Sequence, residues 1–239
     1  MVLAAGRGER MRPLTDHCPK PLLEVRGKPL MRYHLEALGR SGVRELVVNT
    51  AWLGSQIESH FGPLCPWGGH STLSNQEQML RIRYSDEGRD FGGALETAGG
   101  IARALPLLDE VFWVVAGDVF VPQFAFEQGA LERFAASGKL AHLFLVPNPP
   151  HNPKGDFGLR SDGVALNTSN GTRYTYSTIG LYRKALFASL PSGNPHGVKA
   201  PLAPLLRAAM DNGEVTAEIY TGPWTDVGTP ERLAQLNAA

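Results

Sequence analysis

Apolar runs alternate with amphipathic segments along the chain as far as residue 146. Continuous apolar runs are typical of buried strands, and the segments between them have the spacing of helices. The runs predict strands at 43–49, 79–84, 111–116 and 140–146, and the intervening segments predict helices at 53–61, 93–105 and 124–136. This alternation predicts an α/β fold with a doubly wound, mostly parallel sheet. Ligands bind such a sheet at the carboxyl ends of its strands.

The pattern changes after residue 146. Four prolines within residues 147–153 exclude a helix and a central strand there. The later segments predict a small antiparallel excursion at 156–160 and 163–166, a strand at 173–182, and helices at 198–211 and 229–237. Residues 62–78 have too little pattern for an element to be assigned. We therefore expect a single domain over residues 1–239, with two parts that meet at about residue 146.

Composition and charge narrow the class of protein. Hydrophobic residues make up 43% of the 239 residues, so a large buried core is expected. The formal net charge is +0, which disfavours a nucleic-acid partner. The chain has two cysteines, Cys18 and Cys65, and no apolar run approaches the roughly 18 residues of a membrane span. We expect a cytoplasmic protein without a signal peptide. The first apolar run is so short that we expect the numbering to begin inside or at the start of a strand.

The segment that follows this first run combines small residues with positive charge. Ala4, Ala5, Gly6 and Gly8 let a ligand approach the backbone, and such a turn exposes N–H groups that bind an anion. From Gly6 to Lys28, six basic and three acidic side chains leave a net charge of +3. A cationic, glycine-rich loop after a strand predicts a phosphate-binding site. A surface turn with solvated arginines is the alternative interpretation.

Two familiar phosphate-binding motifs do not match this segment. A P-loop requires Ser or Thr after its Gly-Lys pair, but Gly27 and Lys28 are followed by Pro29. The dinucleotide fingerprint fails because Met11 stands where the third glycine belongs. If the segment binds phosphate, it does so without either of these two motifs.

Two aspartates predict a magnesium site. Asp118 follows the apolar run 111–116, and a carboxylate at the end of a buried strand points toward the edge where ligands bind. Asp226 lies just before a helix that could begin at Pro230. Each aspartate has a plainer alternative role, as a helix cap or in a turn. Two carboxylates suit a Mg²⁺ ion that keeps water and phosphate ligands.

The stretches LAAGRGERMRPLT and PKPLLEVRGKPL resemble the signature of the sugar-1-phosphate nucleotidyltransferases, which are Rossmann-like. The likeness continues through LETAGGI, AGDVF, GDFG and WTDVGTPERL. The resemblance implies Mg²⁺-dependent transfer of a nucleotidyl group from a nucleoside triphosphate to a sugar-1-phosphate, with release of pyrophosphate. It also implies a nucleotide-binding part over about residues 1–146 and a sugar-binding part over about residues 147–239.

The same resemblance assigns roles to individual residues. Arg10 and Lys20 are the catalytic candidates: Arg10 holds the triphosphate, and Lys20 bridges the α-phosphate and the sugar phosphate. Asp118 and Asp226 hold the metal, and Asp156 and Thr178 contact the sugar. The nucleotide contacts are Leu3, Ala4, Ala5, Gly6, Gly8, Asn49, Thr97 and Gly99. Close helix–sheet packing is the alternative for Gly99, and a turn is the alternative for Asn49.

Within the family, AWLGSQIESHFG, the YSDEG run and KAPLAPLLRAAM most resemble the N-acetylmuramate-1-phosphate uridylyltransferases of cell-wall (peptidoglycan) recycling, whose nucleotide is UTP. Mannose-1-phosphate guanylyltransferases and glucose-1-phosphate thymidylyl- or uridylyltransferases are alternatives within the class. A non-catalytic, nucleotide-sugar-binding regulatory protein is the alternative outside it. Such a protein is expected to lack a metal carboxylate or the signature lysine, and Lys20, Asp118 and Asp226 are all present. We expect no nucleic acid or membrane partner, and a monomer or small homo-oligomer.

Overall fold

A computed structural model of the chain describes residues 1–68, 78–168 and 171–238. Its strands are β1 (Val2–Ala4), β2 (Glu24–Val25), β3 (Lys28–Pro29), β4 (Glu45–Thr50), β5 (Leu64–Pro66), β6 (Met79–Asp86), β7 (Val111–Ala116), β8 (Val119–Phe120), β9 (Ala141–Val146), β10 (Phe157–Leu159), β11 (Ala165–Leu166), β12 (Arg173–Arg183), β13 (Val215–Ile219) and β14 (Thr225–Asp226). Its α-helices are α1 (Leu30–Arg40), α2 (Gly54–Phe61), α3 (Glu87–Phe91), α4 (Glu96–Ala104), α5 (Gln128–Ala136), α6 (Leu202–Asp211) and α7 (Pro230–Ala238). Short 3₁₀ helices span Glu9–Met11, Leu14–Asp16, Lys20–Leu22, Leu105–Leu107 and Lys184–Phe187.

The chain divides into two compact units. The first unit contains Met1–Leu95, Ala116–Gln128 and Pro223–Ala239, and the second contains Glu96–Val115 and Gly129–Gly222. These units are defined by packing alone. The functional division into a nucleotide-binding part and a sugar-binding part therefore stays a prediction.

The sheet of the first unit is mostly parallel. Strand β4 pairs in parallel with both β1 and β6, and β5 adds an antiparallel edge to β6. The register aligns Ala4 with Thr50, and Thr50 with Asp86. The carboxyl ends of three strands therefore reach one edge together. This arrangement confirms the predicted α/β fold with a mostly parallel sheet.

A small apolar core anchors the signature segment within the first unit. Strands β2 and β3 form a hairpin whose two turn residues, Arg26 and Gly27, have φ angles of 53° and 73°. Positive φ at both positions matches the twist of a two-residue hairpin. The core cluster joins this hairpin to α1, β8 and the residue after β14, through Met11, Leu23, Val25, Leu30, Phe120 and Val227. Its burial holds the glycine-rich turn and the two aspartate segments in one packed body.

The second unit contains more antiparallel pairing than the sequence predicted. Strand β12 is antiparallel to β7, β9 and β10, whereas β13 runs parallel to β9. The register of β12 shifts between Tyr176 and Gly180, which marks a β-bulge. Antiparallel pairing therefore extends beyond the predicted excursion at 156–166, because β12 is a long strand with partners on both sides.

Three predicted helices begin three or four residues later than the sequence pattern indicated. Helix α6 begins at Leu202 because Pro201 before it has extended backbone. Helix α5 begins at Gln128, since Phe124 and Phe126 are buried in the preceding loop instead of on a helix face. Helix α4 begins at Glu96 and not at residue 93.

Several elements were not predicted at all. These are α1, α3, β13, the β2–β3 hairpin, the β8–β14 pair, and β5 inside the unassigned stretch 62–78. Residues 69–77 of that stretch lie outside the described residues. None of the described helices combines the length and the apolar character needed to span a membrane.

Candidate active site

The glycine-rich turn after β1 requires glycine at one position and leaves another open. Gly8 has a φ of 68°, and an added Cβ there would lie 3.0 Å from Cγ2 of Thr15. The Thr15 hydroxyl donates to the Gly8 carbonyl oxygen at 2.9 Å. At Gly6, an added Cβ would meet no described atom within 4 Å. Five of the predicted nucleotide contacts lie at or just after the end of β1: Leu3, Ala4, Ala5, Gly6 and Gly8. The backbone at Gly6 is therefore open to a ligand, whereas Gly8 shapes the loop.

Two arginines of this loop interact with other side chains of the protein. The Arg7 guanidinium lies 3.4 Å from the centroid of the Trp52 ring and 3.5 Å from a carboxylate oxygen of Asp16. Arg12 donates to the same carboxylate at 2.8 Å. In the described part of the chain, Arg10 forms no ion pair and is exposed. Of the three arginines of this loop, Arg10 is therefore the one whose charge remains available to a ligand.

Lys20 and Asp118 form an ion pair across 98 residues of sequence. The Lys20 ammonium donates to Oδ2 of Asp118 at 2.6 Å. The lysine side chain is only 9% exposed, whereas the aspartate side chain is 37% exposed. The helix-cap alternative for Asp118 is wrong, because strand β8 and not a helix follows it. The pair places a buried cation beside an accessible carboxylate at the end of a strand.

Asp226 lies beside Asp118 on a two-stranded ladder. Strand β14 pairs antiparallel with β8, and the Val227 N–H donates to the Asp118 carbonyl oxygen at 3.1 Å. Oδ2 of Asp226 accepts from Arg232 of helix α7 at 3.0 Å. Asp226 does not cap that helix, since Thr229 accepts from the N–H of Arg232. Two aspartates 108 positions apart in sequence, by their residue numbers, thus meet at one strand pair: Asp226 lies on β14, and Asp118 directly precedes β8.

This donor set fits a magnesium ion. Among the described residues there is no group of three or more His, Cys, Asp and Glu side chains that could hold a metal. The protein therefore offers two carboxylates, and Asp118 retains one oxygen, Oδ1, that receives no hydrogen bond from the described residues. Mg²⁺ characteristically takes one or two carboxylates and fills its remaining positions with water and phosphate oxygens. Asp118 and Asp226 match this mode of coordination.

A buried histidine supports the backbone next to Asp118. Nε2 of His34, on helix α1, lies 2.9 Å from the carbonyl oxygen of Val119. Burial of the ring lowers the pKa of His34 to about 4, so the imidazole is neutral at pH 7. The neutral ring donates one hydrogen bond to the start of β8 without adding charge to the site.

Asn49, a predicted nucleotide contact, uses its side chain inside the protein. Its Oδ1 accepts from the Ala4 N–H at 2.9 Å, and its Nδ2 donates to Oε1 of Glu87 at 2.7 Å. The side chain is buried, so a direct contact with a nucleotide is not what this geometry supports. Glu87 itself was missed by sequence reasoning. Its position in the YSDEG run, directly after a strand, was the signal available.

Thr97 and Gly99 lie in the first turn of α4, in the second unit. The Gly99 N–H and the Ala98 N–H both donate to the Ala200 carbonyl oxygen, at 3.0 and 2.9 Å. The Gly99 carbonyl oxygen accepts from Nδ2 of Asn194 at 3.1 Å. The backbone of Gly99 is therefore engaged within its own unit, which favours the packing interpretation of this glycine. A nucleotide contact by Thr97 stays a prediction.

The two predicted sugar contacts lie around strand β12. Oδ2 of Asp156 accepts from the Tyr176 N–H at 2.8 Å, and Oδ1 accepts from Nδ2 of Asn152 at 3.1 Å. Thr178 sits in the β-bulge with a φ of 66°, which is strained for a β-branched residue. Its hydroxyl is buried and has no hydrogen-bond partner among the described residues. Asp156 thus holds the strand, while the strained Thr178 has an unused polar group.

Comparison with known proteins identifies the family. A profile of the family described as Nucleotidyl transferase matches residues 1–164. The chain is 45% identical over 245 residues to the N-acetylmuramate alpha-1-phosphate uridylyltransferase of Neisseria meningitidis serogroup B, covering 100% of this chain and 96% of that one. It is 29% identical over 239 residues to the protein of the same name from Caulobacter vibrioides, covering 97% and 92%.

A solved structure from Bacillus anthracis, assigned as a glucose-1-phosphate thymidylyltransferase, shares the fold. Its TM-score is 0.77 at 19% identity, over 99% of this chain and 92% of that one. The chain belongs to the nucleotidyl transferase family. Within that family it is a sugar-1-phosphate nucleotidyltransferase, an enzyme that transfers a nucleotidyl group onto a sugar-1-phosphate, as the sequence resemblance implied.

Proposed function

We propose that this enzyme transfers a uridylyl group from UTP to N-acetylmuramate-1-phosphate and releases pyrophosphate, with Mg²⁺ as its cofactor. The whole-chain identity of 45% to the Neisseria meningitidis uridylyltransferase supports these substrates. The observation that carries the reaction is the grouping of Lys20, Asp118 and Asp226 in one unit. Their arrangement suits a reaction in which two phosphate groups must be brought together.

The reaction joins two anions, so the site must neutralise charge. An oxygen of the sugar phosphate attacks the α-phosphorus in line, a new P–O bond forms, and the bond to the β-phosphate oxygen breaks as pyrophosphate leaves with the electron pair. The attacking oxygen is already an anion, so the protein need not supply a nucleophile or a general base. A bound Mg²⁺ would supply further positive charge to the phosphates.

Lys20 and Arg10 are the protein's contribution to that neutralisation. An ammonium has three N–H donors, and the Lys20 ammonium spends one of them on Asp118. We assign its remaining donors to the α-phosphate and the sugar phosphate. The exposed Arg10, which lacks an ion-pair partner in the described residues, is assigned to the triphosphate. Asp118 and Asp226 are assigned to the metal.

The remaining assignments complete the proposal. The nucleoside is bound along Leu3, Ala4, Ala5, Gly6 and Gly8, with Thr97 on the side of the base, while Asn49 and Gly99 act through the packing described above. On the sugar side, Thr178 offers its unused hydroxyl and Asp156 holds the strand that carries it. We expect the enzyme to work in the cytoplasm, in peptidoglycan recycling, as a monomer or small homo-oligomer.

Pyrophosphate release across a grid of substrates tests this proposal. UTP, GTP, dTTP and ATP are each paired with the 1-phosphates of N-acetylmuramate, mannose, glucose and N-acetylglucosamine, with Mg²⁺ or with excess EDTA. The highest kcat/KM is expected for UTP with N-acetylmuramate-1-phosphate, and no pyrophosphate release is expected in EDTA. A preference for GTP with mannose-1-phosphate would replace the substrate assignment but keep the reaction. Lys184→Ala is the matched control for a lysine variant at Lys20.

A further inference from the structure

A buried carboxylate joins three segments at the carboxyl ends of the parallel strands. Glu87, the first residue of α3, is 0% exposed. Its Oε1 accepts from Nδ2 of Asn49 at 2.7 Å, and its Oε2 accepts from the Leu95 N–H at 2.7 Å. Asn49 in turn accepts from the Ala4 N–H at 2.9 Å. We call these four residues, Ala4, Asn49, Glu87 and Leu95, the strand-end junction.

The hydrogen bonds of the junction all run in one direction. A carboxylate only accepts, whereas an amide side chain has an accepting end and a donating end. Because Oδ1 of Asn49 faces the Ala4 N–H, its NH₂ group must face Glu87. Asn49 and the Leu95 N–H both donate to the buried carboxyl group of Glu87, and the Ala4 N–H donates to Asn49. A residue with another pattern of donors and acceptors at either position breaks the chain.

The helix that begins with Glu87 packs closely against the end of β4. An added Cβ at Gly88 would lie 2.6 Å from the Ala51 carbonyl oxygen, so α3 rests directly on the backbone that follows β4. Glu87 is thereby held against the end of the sheet. Because such a contact is closely packed, a displacement of one segment also displaces its neighbour.

We propose that Glu87 is a positioning residue for the nucleotide. The junction ends at Ala4, which leads into the glycine-rich turn, and at Leu95, two residues before Thr97. Both ends adjoin residues that the proposed function assigns to the nucleotide, and the inference rests on that function. The proposed sugar contacts Asp156 and Thr178 belong to the second unit, whereas the four residues of the junction belong to the first. Disturbing Glu87 therefore raises the KM for the nucleoside triphosphate and leaves the KM for the sugar phosphate unchanged.

A swap of hydrogen-bonding groups tests the proposal. Glu87→Gln places an NH₂ group against a donor, either Asn49 or the Leu95 N–H. Asn49→Asp places a second buried carboxylate against Glu87. The double variant Glu87→Gln/Asn49→Asp restores the three hydrogen bonds of the junction: the new amide accepts from Leu95 and donates to the new carboxylate at position 49, which still accepts from Ala4. It also keeps a single carboxyl group in the junction.

Each single variant is expected to raise the KM for the triphosphate by about tenfold or more, and the double variant to return it to within about threefold of wild type. The KM for the sugar phosphate is expected to stay within about twofold throughout. Glu45→Gln, an exposed change on β4, is the matched control. If Glu87→Gln does not fold, the comparison of Asn49→Asp with the double variant carries the test.

Three results would overturn the proposal: an unchanged triphosphate KM in Glu87→Gln, a double variant no better than the single ones, or equal changes for both substrates. Failure of the proposed function is distinguished by the wild type, which would then release no pyrophosphate from any substrate pair. In that case, calorimetry measures the Kd of the wild type, the single variants and the double variant for UTP and GTP. Rescue of Kd by the double variant supports the junction, and loss without rescue contradicts it.

Discussion

The loss of stability on breaking the Lys20–Asp118 ion pair is expected to depend on which of the two residues is replaced. Lys20→Met keeps the aliphatic stem and leaves behind the Asp118 carboxylate, which is 37% exposed and can be solvated. Asp118→Asn keeps the shape and leaves behind the ammonium of Lys20, which is only 9% exposed. Stranding a buried charge costs about 3–5 kcal/mol, whereas an exposed ion pair contributes at most about 1 kcal/mol.

We therefore expect Lys20→Met to lower the free energy of unfolding by about 1 kcal/mol or less. Asp118→Asn is expected to lower it by about 3 kcal/mol, the low end of the range for a buried pair because the amide still accepts one hydrogen bond. Urea denaturation without substrates, followed by circular dichroism, measures both values. Equal losses, or a larger loss in Lys20→Met, would show that the burial difference does not control the energy of this pair.

The same two variants separate stability from chemistry. Both are expected to remain folded at 25 °C, and both to lose about a hundred- to a thousandfold in kcat, the typical effect of removing one preorganised charge from a phosphate site. Lys184→Ala is expected to keep wild-type turnover. Pyrophosphate release at saturating substrates measures this effect. Near-normal turnover in Lys20→Met would exclude the lysine from the reaction.

Three further predictions concern the supports of the site. Gly8→Ala is expected to lower the free energy of unfolding, measured by urea denaturation, by about 1–2 kcal/mol, because Gly8 has a φ of 68° and an added Cβ would lie 3.0 Å from Thr15. Gly42→Ala is the control for the backbone part of that cost, since Gly42 has a φ of 92° and no described atom lies within 4 Å of the added Cβ. The pKa of His34 is lowered from 6.5 to about 4, so the unfolded chain binds more protons between these values. Stability is therefore expected to be fully present above about pH 6.5 and to fall by up to about 3 kcal/mol toward pH 4, a slope that His34→Gln should reduce. Trp52→Phe removes the 2.8 Å hydrogen bond from Nε1 to the Thr15 carbonyl oxygen and is expected to raise the triphosphate KM severalfold, with an unchanged sugar-phosphate KM. An unchanged triphosphate KM would show that Trp52 does not position the glycine-rich loop.

Much of the fold was predictable because buried strands must be apolar on both faces. The run at 111–116 coincides with β7, and the run at 140–146 differs from β9 by one residue at its start. Helix starts were less predictable. Phe124 and Phe126 extend the apolar pattern that precedes α5, yet they are buried in a loop, and an apolar pattern alone does not distinguish these cases.

The sequence by itself determined the glycine-rich loop, its cations and the two candidate aspartates, because these features depend on residue types at short spacing. Only the tertiary structure decided which charges remain available. It paired Arg7 and Arg12 with Asp16, left Arg10 exposed, and joined Lys20 to Asp118 across 98 residues.

The strand-end junction is the clearest case of what tertiary structure adds. Glu87 and Asn49 are separated by 38 residues, and nothing local to either one predicts a hydrogen bond between them. The parallel register of β1, β4 and β6 brings their ends to one edge, and burial then requires every polar group there to find a partner. Residue types predict which groups can react, whereas strand register and burial decide which of them meet.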